Sequence, residues 1–332
     1  MKETQIGSFI ELVENAIKEY WDLDALTDYE GATLQYKDVA RKIEKLHIIF
    51  NEAGIEKGDK IAVCGRNSSQ WAAAFLAVLT YGAVAVPILH EFTPEQIYNI
   101  LEHSESKLFF VGDQVWPDLN ADKMPGVQGI FGLHDFYLMV SRSETITNAR
   151  ERLNELFGKK FPKNFRKEHV SYRRDEHEEL AMINYTSGTT SQSKGVMIPY
   201  RAVWSNMAFA NGALGMSIHR GSKVVSILPM AHMYGMAFEV LYEFISGAHV
   251  FFLTKNPSPT IIFNAFSRIK PDLIVSVPLI LEKALRRAVL PKLQTPKMKL
   301  LMRMPYVKDK VITAIGNQLT EAFGGKFYEI II

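Results

Sequence analysis

The sequence predicts an α/β protein of two stacked subdomains, each a mainly parallel sheet flanked by helices. Three observations carry this. Amphipathic helical stretches alternate with short, continuously apolar runs along the chain, the pattern of parallel strands buried on both faces. The 332 residues exceed the usual size of one domain, so two packed units are expected. The charge-dense stretch "FGKKFPKNFRKEHVSYRRDEHEE" (157–179) separates two halves that share this rhythm. Its acidic end offsets its basic run, so it reads as a solvated connection and not as a docking patch.

The elements follow in order. "MKETQIGSFIELVENAIKEY" has no long apolar core, which excludes a secretory signal. It reads as an amphipathic helix with Phe9, Leu12, Val13, Ala16 and Ile17 on one face. Residues 36–53 form a second helix, striped by Val39, Ile43, Leu46 and Phe50 and ended by Gly54. "KIAVCG" is a strand. Residues 71–89, "WAAAFLAVLTYGAVAVPIL", carry no charge and reach the length of a membrane span. Gly82 and Pro87 instead divide them into a buried helix to Thr80, a turn and a strand from Ala83 to Ile88. Thr93, Pro94 and Gln96 open the next helix as N-cap, first turn and capping-box partner. "SKLFFVGD" is the strand after it.

In the second half "KVVSILPM", "AHVFFLT" and "DLIVSVP" are strands. Helices are expected over 232–245, from Ser258-Pro259 to Ile269, over 279–289 and over 307–322. The final "EIII" suits a buried parallel strand better than a frayed end, so the native protein is expected to continue past Ile332. Residues 56–211 are assigned to the first subdomain, and 1–55 with 212–332 to a second one, incomplete at its C-terminal end.

Composition narrows function. A net charge of +2 gives no general attraction to nucleic acid. The single cysteine, Cys64, cannot form an internal disulfide; it fits a core residue in a reducing, cytoplasmic setting. "KALRRAVLPKLQTPKMKLLMR" (283–303) interleaves basic and apolar residues, which leaves weak membrane-surface association open.

The chemically loaded stretch is "YTSGTTSQSKGVMI" (185–198), lying between the strands "LAMINY" and "GVMIP". Hydroxyls at Thr186, Ser187, Thr189 and Thr190, the tight turn allowed by Gly188 and the ammonium of Lys194 are what a polyphosphate needs. The spacing is not that of a Walker loop, because the second glycine is missing and Gly195 follows the lysine.

The stretch resembles the signature loop of the adenylate-forming superfamily, [ST]-[SG]-G-[ST]-[TS]-G-x-P-K-G. "LTYGAVAVPI" (79–88), "LPMAHMYG" (228–235) and "KPDLIVSVPLILEK" (270–283) resemble further family segments in the same order. The agreement runs from about Leu34 to the end and covers roughly the first half of such an enzyme. Ser191 and Ser193 stand where the family has glycine and proline; a positive φ at 191 costs serine on the order of 1 kcal/mol.

The resemblance implies the N-terminal part of an acyl-CoA synthetase-like fold, most like a long-chain fatty acid–CoA ligase. It implies activation of a carboxylic acid by ATP to an acyl adenylate, which is then passed to coenzyme A. By the same resemblance Thr186, Ser187, Gly188, Thr189, Thr190, Lys194 and Gly195 hold the phosphates, and Thr186 touches Mg²⁺. His232 steers the reacting carboxylate, and Met230, Tyr234 and Gly235 line the acyl site. The family's Mg²⁺-binding glutamate, ribose-binding aspartate and C-terminal lysine segments are not found in this sequence, so this chain by itself is expected not to complete adenylation. A non-catalytic module that binds a nucleotide or a partner is the rival reading.

Overall fold

A computed structural model describes residues 7–186, 194–214, 218–255, 257–288, 295 and 305–332. Its strands are β1 (Asp24–Asp28), β2 (Thr33–Gln35), β3 (Lys60–Cys64), β4 (Val84–Ile88), β5 (Ser106–Val111), β6 (Gly129–Gly132) and β7 (Leu138–Ser141). They continue as β8 (Leu180–Thr186), β9 (Lys194–Pro199), β10 (Lys223–Ser226), β11 (His249–Phe252), β12 (Leu273–Val275) and β13 (Glu329–Ile331). One sheet has the order β13-β12-β10-β11-β1-β2 and the other β7-β6-β5-β3-β4-β8-β9. The antiparallel pairs, β1 with β2, β6 with β7 and β8 with β9, each close one edge of a sheet. The interior of both sheets is parallel, as the continuous apolar runs require.

Strand parity places the core. Ile61, Val63, Leu108, Phe110 and Phe131 face a large core shared with the other sheet, while Ala62, Cys64, Phe109, Val111 and Ile130 face a smaller outer one. The helix Ser69–Tyr81 lies within the shared core and touches β1 of one sheet and β3 and β4 of the other. Sandwiched in this way, it is buried on every side, which explains its uncharged sequence without a membrane. Gly82 ends it at φ 92°, a left-handed position suited to glycine. No helix among the described residues is long and apolar enough to cross a membrane.

Most expected elements appear, including the Thr93–Gln96 capping box. Three readings change. The helix expected over 232–245 is interrupted: Met233–Met236 and Tyr242–Ile245 are α-helical and Ala237–Leu241 is a π turn. β10 ends at Ser226, before the proline of "LPM", and the rest becomes a loop. β13 lies at a sheet edge with Ile330 and Ile331 only half-buried.

The connection at 157–179 is mostly exposed, as expected, and is anchored near its C-terminal end. Asp175 accepts from the Ser8 hydroxyl, from Phe9 N (3.2 Å) and from Ile10 N (2.9 Å), capping the helix Phe9–Glu19 from far along the chain. Buried Glu14 on that helix accepts from Tyr172 N and Arg174, each at 2.9 Å, and from Lys18 at 2.6 Å. These partners hold the Glu14 carboxyl at about 2, although its burial pulls the other way. Of the basic segment 283–303, residues 289–294 and 296–303 lie outside the described residues.

Candidate functional site

The site lies where strands of both sheets end. β8 leads into the hydroxyl-rich loop and β9 leads out, with Thr186 opposite Lys194 and Tyr185 opposite Gly195. Thr186 and Lys194 are exposed at the mouth of this hairpin. Ser187, Gly188, Thr189 and Thr190 lie outside the described residues, as do Ser191 and Ser193. Behind the mouth, Tyr185 is buried and its hydroxyl pairs with His103 Nδ1 at 2.6 Å. A Cβ on Gly195 would fall 2.8 Å from Ile183 Cγ2 and 3.1 Å from Tyr185 Cζ. Glycine is needed there because the facing side chains fill the space above it.

The second component is the loop that leaves β10, "ILPMAH" (227–232). Three buried polar side chains hold its backbone. Asn67, just past β3, donates to Leu228 O (2.6 Å) and Ser226 Oγ (3.1 Å), and its Oδ1 accepts from Met230 N (2.9 Å). Asn184, on β8, donates to Ala231 O at 2.9 Å. The Glu239 carboxylate oxygens accept from Ser226 Oγ, Ile227 N and Leu228 N at 3.0–3.1 Å. The loop after β10 is thus fastened to β8 and to the bend that follows β3 in the other sheet, next to the β8–β9 hairpin.

This clamp presents His232. The residue is exposed and N-caps Met233–Met236, its Nδ1 accepting from Tyr234 N in a long 3.4 Å bond. A neutral imidazole that accepts at Nδ1 carries its proton on Nε2, which offers a donor to a ligand oxygen. Met230 is buried in the shared core, whereas Met233 and Tyr234 are half-exposed beside His232, with the Tyr234 ring 5.5 Å from that of Phe238. Gly235 packs on the loop: a Cβ there would lie 2.8 Å from Pro229 O.

Burial dominates the local electrostatics. It pushes the Glu239 carboxyl up to about 8 against the pull of its three donors. Glu243, one turn further on and fully buried, is raised well above the usual carboxylate range by its own burial and by Glu239. Asn67, Asn184 and Glu239 were missed from sequence. Their signal was faint: polar residues at the ends of apolar strands, and an acid inside "GMAFEVLYEFI".

The family model for AMP-binding enzymes matches residues 13–330. The chain belongs to the AMP-binding enzymes. Its similarity to curated members is distant. The long-chain-fatty-acid–CoA ligase heimdall of Drosophila melanogaster is 24% identical over 84% of this chain and 42% of its own length. The long-chain-fatty-acid–CoA ligase FadD15 of Mycobacterium bovis is 26% identical over 76% of this chain and 40% of its own. The chain therefore spans less than half the length of these AMP-binding relatives. In fold it is similar to a red-emitting luciferase from Phrixothrix hirtus (TM-score 0.73, 18% identity, 88% of this chain and 54% of that one). It is also similar to the anthranilate CoA ligase AuaEII (TM-score 0.71, 16% identity, 88% of this chain and 54% of that one). The AMP-binding fold expected from the motifs is the fold observed.

Proposed function

We propose that this chain carries the ATP- and carboxylate-binding half of an acid–thiol ligase, with a fatty acid as the substrate class. The observation that carries the reading is the Asn184–Ala231 hydrogen bond. It holds the end of the phosphate-type hairpin against the loop that presents His232, at the carboxyl ends of parallel strands, where ligands gather in α/β folds.

In this reading Lys194 offsets the charge of the β- and γ-phosphates and the hydroxyls of Thr186, Ser187, Thr189 and Thr190 hydrogen-bond to them, so that an anionic carboxylate can approach the triphosphate. The His232 Nε2–H donates to an oxygen of the carboxylate or α-phosphate. A carboxylate oxygen attacks the α-phosphorus and pyrophosphate leaves. The thiol of coenzyme A then attacks the acyl carbonyl and AMP leaves. Among the described residues no group of three or more His, Cys, Asp or Glu side chains could hold a metal. Thr186 offers one exposed hydroxyl, which fits Mg²⁺ held mainly by phosphate and water. Bound there, Mg²⁺ would screen the polyphosphate charge.

The names of the fatty-acid–CoA ligase relatives and the half-exposed Met233, Tyr234 and Phe238 beside His232 support an alkyl substrate. The complete reaction is proposed for the whole protein, in the cytoplasm. The test is calorimetric titration of the chain with MgATP beside a Lys194→Ala variant. Because Lys194 is exposed, the variant keeps its fold, and its affinity is expected to fall at least about tenfold, the ~1.4 kcal/mol scale of one charge-assisted phosphate contact. Equal binding by both proteins would remove the polyphosphate assignment.

A further inference from the structure

We infer that Glu239 is the positioning residue for His232: it sets where the 227–232 loop leaves β10 and so where the imidazole is presented. The inference deepens the proposed site and rests on it.

β10 pairs with β11 up to Ser226 opposite Phe252. Beyond that point the chain turns out of the sheet, and the N–H groups of Ile227 and Leu228 lose their strand neighbour inside the core. Ile227 is 4% exposed and Leu228 7%. A buried, unpaired N–H is strongly unfavourable. Glu239 takes the place of the missing strand: Oε2 gathers Ser226 Oγ and both N–H groups, and Oε1 takes a second share of Ile227 N. The side chain is itself fully buried.

The placement of Glu239 depends on the π turn Ala237–Leu241, in which it is the central residue. A π turn advances fewer degrees per residue than an α turn, so it changes which face the residues within it present, and such turns cluster at functional sites. Asn67 grips the opposite side of the loop, at Leu228 O and Met230 N. Held by Glu239 at Leu228 N, by Asn67 at Leu228 O and Met230 N and by Asn184 at Ala231 O, the four residues from Leu228 to Ala231 have little freedom, and His232 follows at once. Loss of the Glu239 grip frees the β10 end and leaves Asn67 and Asn184 to hold the rest of the loop. Burial, by raising the carboxyl, makes the grip sensitive to protonation.

The test uses the chain itself with a non-hydrolysable acyl-sulfamoyl adenosine, a stable mimic of an acyl adenylate, and compares Glu239→Ala, Glu239→Gln and His232→Ala. Glutamine keeps an oxygen where the three donors converge; alanine leaves them unpaired. Expected is amide hydrogen exchange at Ile227 and Leu228 at least about 100-fold faster in Glu239→Ala, with Val224 and Val225 unchanged. Mimic affinity is expected to drop about tenfold in both Glu239→Ala and His232→Ala, with Glu239→Gln close to the unsubstituted chain.

Unchanged exchange in Glu239→Ala overturns the inference whatever the ligand does. Faster exchange with undiminished affinity, while His232→Ala binds weakly, leaves the site reading standing and overturns the positioning role. No binding by the unsubstituted chain, or no effect of His232→Ala, removes the site reading and the inference with it.

Discussion

Replacing Glu239 by glutamine should change how stability depends on pH, and the sign can be worked from the structure. Burial lifts the folded-state carboxyl to about 8 from an ordinary value of 4.5. Between those two values the folded chain holds a proton that the unfolded chain has released. Stability of the unsubstituted protein therefore falls as pH rises through this window, and the loss is complete once the folded value is passed. Each pH unit is worth about 1.4 kcal/mol, so from about pH 5 to about pH 8 the glutamate should cost roughly 4 kcal/mol relative to Glu239→Gln, which has no proton to lose. Glu243 and Tyr234, the titratable groups coupled to this carboxyl, are present in both proteins and largely cancel in the difference. The assay is urea denaturation of both proteins at several pH values. A flat difference would show the carboxylate ionised throughout, its three donors outweighing its burial.

Further expectations concern the frame around the site. Gly195→Ala places a methyl against Ile183 and Tyr185; overpacking should cost about 1–3 kcal/mol, read as a lower urea midpoint, and no shift would show that Tyr185 yields freely. Asp175→Ala strips the cap from the helix Phe9–Glu19 and should cost about 1–2 kcal/mol. Asp175→Asn, which retains an acceptor, should recover part of it, and equal midpoints for all three proteins would deny the connecting segment any role in stability.

Local pattern made much of this protein legible. "PEQIYNILEHS" after Thr93 states its own cap, first turn and apolar stripe within a few residues, and the structure carries out all three. The parallel strands were readable because strands buried on both faces need apolar residues at every position. Residues 69–88 could be divided correctly because Gly82 must sit where φ is positive.

The misses share a different cause. The π turn at Ala237–Leu241 has no breaker residue to announce it, and the apolar spacing around it is helical. The anchors at the end of residues 157–179 were not legible either, because Asp175 and Arg174 meet the start of the helix Phe9–Glu19 and Glu14 more than a hundred residues earlier.

By itself the sequence determined the layered α/β class, the alternation of helix and strand, and the hydroxyl-rich hairpin with Lys194. Those properties are periodic or contiguous, and local propensity and burial pattern specify them directly. Only the tertiary structure decided that Asn67, Asn184 and Glu239, from three distant parts of the chain, converge on one loop to present His232. A lone polar residue carries no mark of its future partner; the backbone N–H or carbonyl that makes its burial tolerable exists only once both sheets have packed.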